Sequence, residues 1–371
     1  MRRNIVIIEH EPLTQKTKSN LFIDEFQLKG FEVKYWDISQ YIFPGMQLAN
    51  QIEDSCQIHF LALAQIEKEL SKQNIEDTIF IVEVRDSWNA RFVYKLLSDV
   101  DAFTIRIDMY GNTFLHIPFL QKLKNLYFRD LGNIIKAAID RNRVKYYKKI
   151  NHIKDFSLLF SSSSLCTDRV PINHPDYELY VRNPVSSQSG YIVFLDIYFP
   201  LHPDLIYMQR MHGINAHEYQ ESLRIFFDKL ENKTGKRIII AAHPKALYKG
   251  GEFGDREIIK FETVRLVQNA DMVLLHTSNS ISFPILYDKA VALITNHAYN
   301  KSPVMVSSQR KLASTLGLPI CNVDEMDIAS FSADKLNPSI RNNYIYTYLT
   351  SKQSEHLLNK NIIVEKLSHI K

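Results

Sequence analysis

Nowhere in its 371 residues does the chain hold an apolar run near the about 18 residues that a membrane-spanning helix needs. Its first residues, Met1-Arg-Arg-Asn-Ile-Val-Ile-Ile, open like a secretion signal, but Glu9-His10-Glu11-Pro12 ends the run too early for an h-region. Both absences predict a cytoplasmic protein, with at most a peripheral association with the inner membrane face. Cysteine is scarce. Cys56, Cys166 and Cys321 are scattered and form no Cys-x-x-Cys pair, which argues against a zinc or redox centre and for a reducing compartment. An excess of one charge is lacking too: the net charge is only +4, and nucleic acid is not an expected partner. The glycines of Gly250-Gly251-Glu-Phe-Gly254 miss the Gly-Lys-Ser/Thr ending of a P-loop, so ATP or GTP hydrolysis is unsupported. No Gly-x-Ser-x-Gly elbow nominates a serine hydrolase. His217-Glu218-Tyr-Gln-Glu221 has glutamate where a zinc-protease helix needs its second histidine. Asp99-Val-Asp101 is a triplet that arises readily at helix ends, so neither a metal nor another cofactor is expected.

What remains has the texture of a folded α/β protein. Hydrophobic residues make up 45% and charged residues 23%, ordinary values for a globular chain. At roughly 100 to 200 residues per domain, the length suggests two domains. Asn4–Ile8 is a short apolar run ended by charge, the mark of a central parallel strand, and Phe31–Trp36, Thr78–Val84 and Phe103–Ile107 repeat it. Helical stretches such as Ile58–Leu70 separate them, so residues 1–160 read as a doubly wound, Rossmann-like domain. Lys122–Lys149 reads as a long basic helix with Arg141, Arg143, Lys145, Lys148 and Lys149 near its end, interleaved with Tyr146 and Tyr147. That run suits anionic lipid or an acidic glycan, though its plainer reading is a solvated helix face. Residues 161–189, with four successive serines and several prolines, read as a linker.

Residues 190–335 form the second expected domain, with strands at Tyr191–Leu195, Arg237–Ala242, Met272–Leu275 and Ala290–Ile294. Helices are expected around His217–Leu230 and after Ser280, and residues 336–371 as a polar helical tail packing back on the first domain. The fold class is therefore α/β: two Rossmann-like domains with an interdomain cleft and a carboxy-terminal helical tail.

Two strand ends carry the chemistry. Arg237-Ile-Ile-Ile-Ala-Ala runs into His243-Pro244-Lys245, and Asp271-Met-Val-Leu-Leu-His276 runs into Thr277-Ser278-Asn279-Ser280. In an α/β domain both junctions fall at the carboxyl edge of the parallel sheet, where ligands bind. The pairing predicts a phosphate site built from two neighbouring strand ends. His243 supplies a hydrogen bond to phosphate oxygen, Pro244 fixes the exit of the chain, and the hydroxyls and amides of Thr277–Ser280 open a helix. Lys245 and Arg256, flanking the glycine-bearing loop, are candidates for a carboxylate or phosphate. His202-Pro203 lies in a proline-containing loop, and chance suffices for His174-Pro175 in the linker.

In these residues the stretch Tyr191–Asn296, about a third of the chain, resembles the donor domain of bacterial B-type glycosyltransferases that use CMP-activated acidic sugars. These are the sialyltransferase and Kdo-transferase types of capsule and lipopolysaccharide synthesis. The resemblance rests on His243-Pro244 and on Ser278 and Ser280. It implies that these residues hold the phosphate of a CMP-sugar donor, with a glycan or glycolipid as acceptor. Asn279 stands between two serines that are typically adjacent in the family, and the family's acidic-acidic-glycine base motif is absent as such. An inverting, metal-independent transfer still needs a base on the cleft. Asp108, in Asp108-Met-Tyr-Gly111, is the first candidate, Asp86 the second and Asp196 the third. A CDP-polyol phosphotransferase of the teichoic-acid kind and a non-catalytic nucleotide-sugar-binding protein are the competing expectations.

Overall fold

The computed structural model describes residues 2–48, 50–113, 131–183, 190–208 and 211–370. Seven parallel strands make the first sheet: β1 (Asn4–Glu9), β2 (Glu32–Asp37), β3 (Gln57–His59), β4 (Thr78–Val82), β5 (Phe103–Asp108), β6 (Leu158–Ser161) and β7 (Val170–Pro171), in the order β3-β2-β1-β4-β5-β6-β7. The apolar runs are continuous because helices cover both faces. Ile5 and Ile7 of β1 face one buried cluster with Ile79 and Ile105, while Val6 and Ile8 face another with Trp36 and Phe80.

The second sheet is built from β8 (Tyr191–Leu195), β9 (Ile238–Ala242), β11 (Ile258–Lys260), β12 (Ala270–Leu275), β13 (Ala290–Thr295) and β14 (Ile320–Asn322), in the order β11-β9-β8-β12-β13-β14. A short extended stretch outside that order, β10, covers Glu252–Asp255. The second sheet is parallel throughout, with Tyr191 and Val193 on one face and Ile192 and Phe194 on the other. Strand order reverses at β1/β4 and at β8/β12, and these switch points open crevices at the carboxyl edge of each sheet. The two Rossmann-like domains, the cleft and the helical tail are thus present. Among the described residues no helix is long and apolar enough to cross a membrane.

Two expectations need correction. The stretch Ile58–Leu70 is not one helix: Gln57–His59 pairs with β2, and the helix spans Leu63–Leu70. Alternating Gln57, Ile58 and His59 suit an edge strand, whereas the helix has Ile66 and Leu70 four residues apart on its buried side. Nor is the segment from Ser161 a surface linker, because β7 completes the first sheet and Pro175–Arg182 is a helix. Its polar residues misled because they are buried partners of backbone: the Ser162 hydroxyl accepts from Gly111 N at 3.0 Å and lies 3.0 Å from Tyr348 O. A Cβ on Gly111 would come within 2.8 Å of the Ser163 backbone nitrogen, so that close approach requires glycine. Residues 184–189 of the expected linker, 122–130 of the expected basic helix and the Arg141 side chain lie outside the described residues. The described helix spans Leu131–Ile150, and two of its charges are already engaged. Arg143 stacks 3.5 Å over Trp88, and Lys148 pairs with Asp86.

The chain crosses between domains twice. Pro338–Tyr344 and Ile345–Leu349 pack on the second domain, then Asn359–Ser368 returns to bury Ile363, Val364 and Leu367 against Ile5 and Ile7. The crossings are pinned by a reciprocal amide pair: Asn173 N donates to Asn359 Oδ1 and Asn359 Nδ2 to Asn173 O, both at 2.7 Å. The Asn173 side chain also accepts from the Thr350 hydroxyl at 2.6 Å and donates to Ser354 O and Leu357 O at 2.9 and 2.8 Å. Replacing Asn173 by alanine orphans these buried partners and is expected to cost about 2 to 4 kcal/mol. Urea unfolding reads this directly, and a midpoint equal to wild type would mean that water replaces the amide without loss.

Candidate active site in the interdomain cleft

β9 and β12 both run parallel to β8, so His243 and Thr277 do emerge at one edge. They are not neighbours, however. β8 lies between β9 and β12, and two inter-strand spacings put their ends about 10 Å apart. The partner that His243 meets is His202, from the loop after β8, with Nε2 to Nε2 at 3.4 Å and ring centroids at 4.4 Å.

All three His-Pro pairs share one local geometry. Proline has no N–H to offer, and the preceding imidazole Nδ1 accepts the N–H two residues on. Lys245 N donates to His243 at 3.1 Å, Asp204 N to His202 at 3.0 Å and Asp176 N to His174 at 3.1 Å. With Nδ1 accepting, the proton of each neutral ring sits on Nε2. The buried His174 directs its Nε2 to Asn112 Oδ1 at 3.1 Å, so it is satisfied. His202 and His243 instead point two N–H donors at each other. Neither can accept from the other, and a single oxygen placed over the pair satisfies both. Burial holds the His202 pKa down at about 4 and pushes that of His243 well below its usual value, helped by His202, Lys245 and Lys16. Both rings are therefore neutral donors.

Charge around the pair is shared by the two domains. Lys245 Nζ bonds Glu11 Oε1 and Oε2 at 3.1 and 3.2 Å and Asp204 Oδ1 at 3.0 Å. Burial works against this ammonium, but Glu11 and Asp204 outweigh it and raise its pKa. Glu11 comes from the β1 loop, at the switch point of the first sheet. Burial raises its pKa while Lys245 opposes that rise.

The other expected residues divide clearly. Pro244 is half-buried in the His243 turn. Thr277 Oγ1 lies 3.3 Å from Tyr299 Oη, and Ser278 Oγ is occupied as a cap for Ser280 N at 3.2 Å. Asn279 O accepts from Asn112 Nδ2 of the first domain at 2.8 Å. The helix that follows spans only Ser282–Leu286, too short for the anion-binding terminus expected there. Arg256 is not in the cleft group: its guanidinium donates to Asp228, Glu231 and Phe253 O on the outer helix side.

None of the three expected bases stands free. Asp196 is buried and accepts from Tyr198 N and Tyr248 Oη at 2.9 Å and from His243 N at 3.4 Å. Burial pushes its pKa up to about 6, but its oxygens hold the β9 exit in place and are closed to an acceptor. Asp86 is exposed and paired with Lys148. Asp108 accepts from the Ser161 hydroxyl at 3.2 Å at the β5/β6 edge, two strands away from β1. Sequence reasoning did not bring Glu11, Asp204, Asn112 or Lys16 to the site, and it noted His202 only as part of a proline-containing loop. The strand-end rule applied to β1, which runs straight into Glu9-His10-Glu11, would have found the first.

Beside the cleft, Glu83 Oε1 accepts from Ile107 N at 2.8 Å, and burial pushes its pKa up to about 8. The native state therefore keeps a proton that the unfolded chain releases near its ordinary value of 4.5, so stability drains as pH rises between those values. The thermal midpoint of the wild type should fall by several degrees relative to Glu83→Gln between about pH 5 and 8. Parallel midpoint curves for the two proteins would contradict the assignment.

No protein-family model matches the chain, and no curated protein sequence matches it. Among solved structures, the wall teichoic acid polymerase TagF superposes with a TM-score of 0.47 at 9% identity, covering 98% of this chain and 87% of its own. The UDP-GlcNAc 2-epimerase of Methanocaldococcus jannaschii gives 0.47 at 12%, covering 100% of each chain. The spinosyn forosaminyltransferase SpnP gives 0.45 at 10%, covering 99% of each.

Proposed function

We propose that this protein is a glycosyltransferase that moves an acidic sugar of the sialic-acid, Kdo or related nonulosonic type from a CMP-sugar to a bacterial surface glycan, with inversion and without a metal. The observation that carries the reading is the pair of Nε2–H donors of His202 and His243, 3.4 Å apart at the carboxyl edge of the second sheet, where one oxygen can accept from both. Preorganised donors of this kind stabilise an oxygen on which negative charge develops. A CMP-sugar has a single phosphate between nucleoside and sugar, which suits one such point. Glu11 replaces Asp108 as the base, because it is the first-domain carboxylate held against the second-domain site by Lys245.

In the reaction, Glu11 takes the proton of the acceptor hydroxyl as its oxygen attacks the anomeric carbon. The bond from that carbon to the phosphate oxygen breaks, and the electron pair leaves with CMP. The two imidazoles meet that oxygen. Cytoplasmic location, with the exposed Lys145 and Lys149 of the basic helix towards a membrane surface, completes the proposal.

Incubating purified protein with CMP-N-acetylneuraminate or CMP-Kdo and a lipopolysaccharide or capsule acceptor tests it: free CMP and a phosphorus-free product are expected. The two imidazoles 3.4 Å apart also suit a CDP-polyol phosphotransferase, both rings donating to oxygens of the transferred phosphate. Phosphorus-31 spectra of the product separate the readings, since the phosphotransferase alone moves phosphorus to the acceptor.

A further inference from the structure

A sugar carried on the second domain by its nucleotide must project towards the first domain, and the residue there that can meet an acid is Lys16. It lies on the short helix Gln15–Asn20 that follows the Glu11 loop, and its side chain is solvent-exposed. Its neighbour Lys18 is tied to Asp54 and Asp24 at 2.7 and 2.9 Å, whereas among the described residues no carboxylate forms an ion pair with Lys16. Its ammonium stands 5.5 Å over the Tyr110 ring, which meets the His174 ring edge-on at 5.2 Å. Asp176, the nearest acid that acts on it, is already engaged by the Ser282 hydroxyl. His174 in turn meets Asn112, which donates to Asn279 O of the second domain, and Lys16 follows by five residues the Glu11 that binds Lys245, so Lys16 belongs to the first-domain face turned to the histidine pair.

The other nearby cations are committed elsewhere. Lys245 is saturated by Glu11 and Asp204, and Arg85 stands on the Asp204 side at 3.9 Å. In an activated ulosonic acid the carboxylate sits on the anomeric carbon itself, one bond from the carbon that bears the phosphate. A group that holds this carboxylate must therefore stand close to the phosphate point yet belong to the facing domain. Lys16 meets both conditions.

We propose that Lys16, standing over Tyr110, binds the carboxylate of the donated sugar and thereby selects acidic over neutral donors. This deepens the CMP-sugar reading and rests on it. Titration calorimetry of the full chain with CMP, CMP-N-acetylneuraminate and CMP-Kdo tests it, in wild type, Lys16→Met and Lys16→Arg. In Lys16→Met the affinity for CMP should stay within about twofold of wild type. Affinity for at least one CMP-sugar should fall about ten- to hundredfold, as loss of one charge-assisted hydrogen bond predicts. Lys16→Arg should recover most of it. An equal loss for CMP and the CMP-sugars would place Lys16 on the phosphate, and no loss at all would leave it a solvated charge; either result overturns the assignment. Wild type that binds neither CMP nor a CMP-sugar would instead refute the donor reading, and the carboxylate site with it.

Discussion

Replacing His243 by asparagine should lower the rate of CMP release about 10²- to 10³-fold, the loss typical for one preorganised donor to a developing oxyanion. The geometry makes the effect one of rate more than of binding. His243 Nδ1 is occupied by Lys245 N, so only its Nε2–H reaches outward, and burial keeps the ring neutral. A neutral donor contributes little to holding an already charged phosphodiester and more to the second negative charge that appears as CMP departs. His202→Asn should behave alike. The double variant should lose less than the product of the two, because both donors act on one oxygen. Single-turnover CMP release with folding checked by circular dichroism reads all three. Undiminished turnover in His243→Asn would remove the paired imidazoles from the chemistry.

The second large effect is expected from Glu11→Gln. Loss of a general base costs about 10² to 10⁴ in kcat. The glutamine oxygen can still accept from Lys245, so the contact between domains survives and donor affinity should hold. Wild-type activity should decline at acid pH as the Glu11 carboxylate, its pKa raised by burial, takes up a proton and can no longer accept one from the acceptor. In Glu11→Gln this acid limb should vanish along with most of the rate. A variant that keeps the limb, or that loses donor affinity instead of rate, would show that Glu11 acts only as a tie for Lys245.

The fold was legible where burial writes itself into sequence. Ile5 to Ile8, Ile238 to Ala242 and Leu274 to Leu275 are strands buried on both faces, and such runs admit few other readings. Short edge strands were not legible: Val170–Pro171 pairs through its backbone, and its side chains carry no periodic signal. The buried Asn173, His174 and Ser161–Ser163 looked like a surface segment because their partners lie in distant parts of the chain, such as Tyr348, Ser354 and Asn359. At the site, His243 was visible from the strand that delivers it. His202 was not, because its approach to His243 is made by a loop whose path no local pattern encodes. Arg256 was misread for the converse reason. Glycines beside it suggested a ligand loop, whereas Asp228 and Glu231, a helix turn apart, had already claimed its guanidinium.

The return of Asn359–Ser368 to the first domain has a consequence for how the protein is made. On the ribosome, β1 and its helices emerge more than three hundred residues before Ile363, Val364 and Leu367, the side chains that cover Ile5 and Ile7. The second domain can close its own core earlier, since the helices against it end at Leu349. The amino-terminal half thus waits with an open apolar stripe, and it is finished last although it is synthesised first.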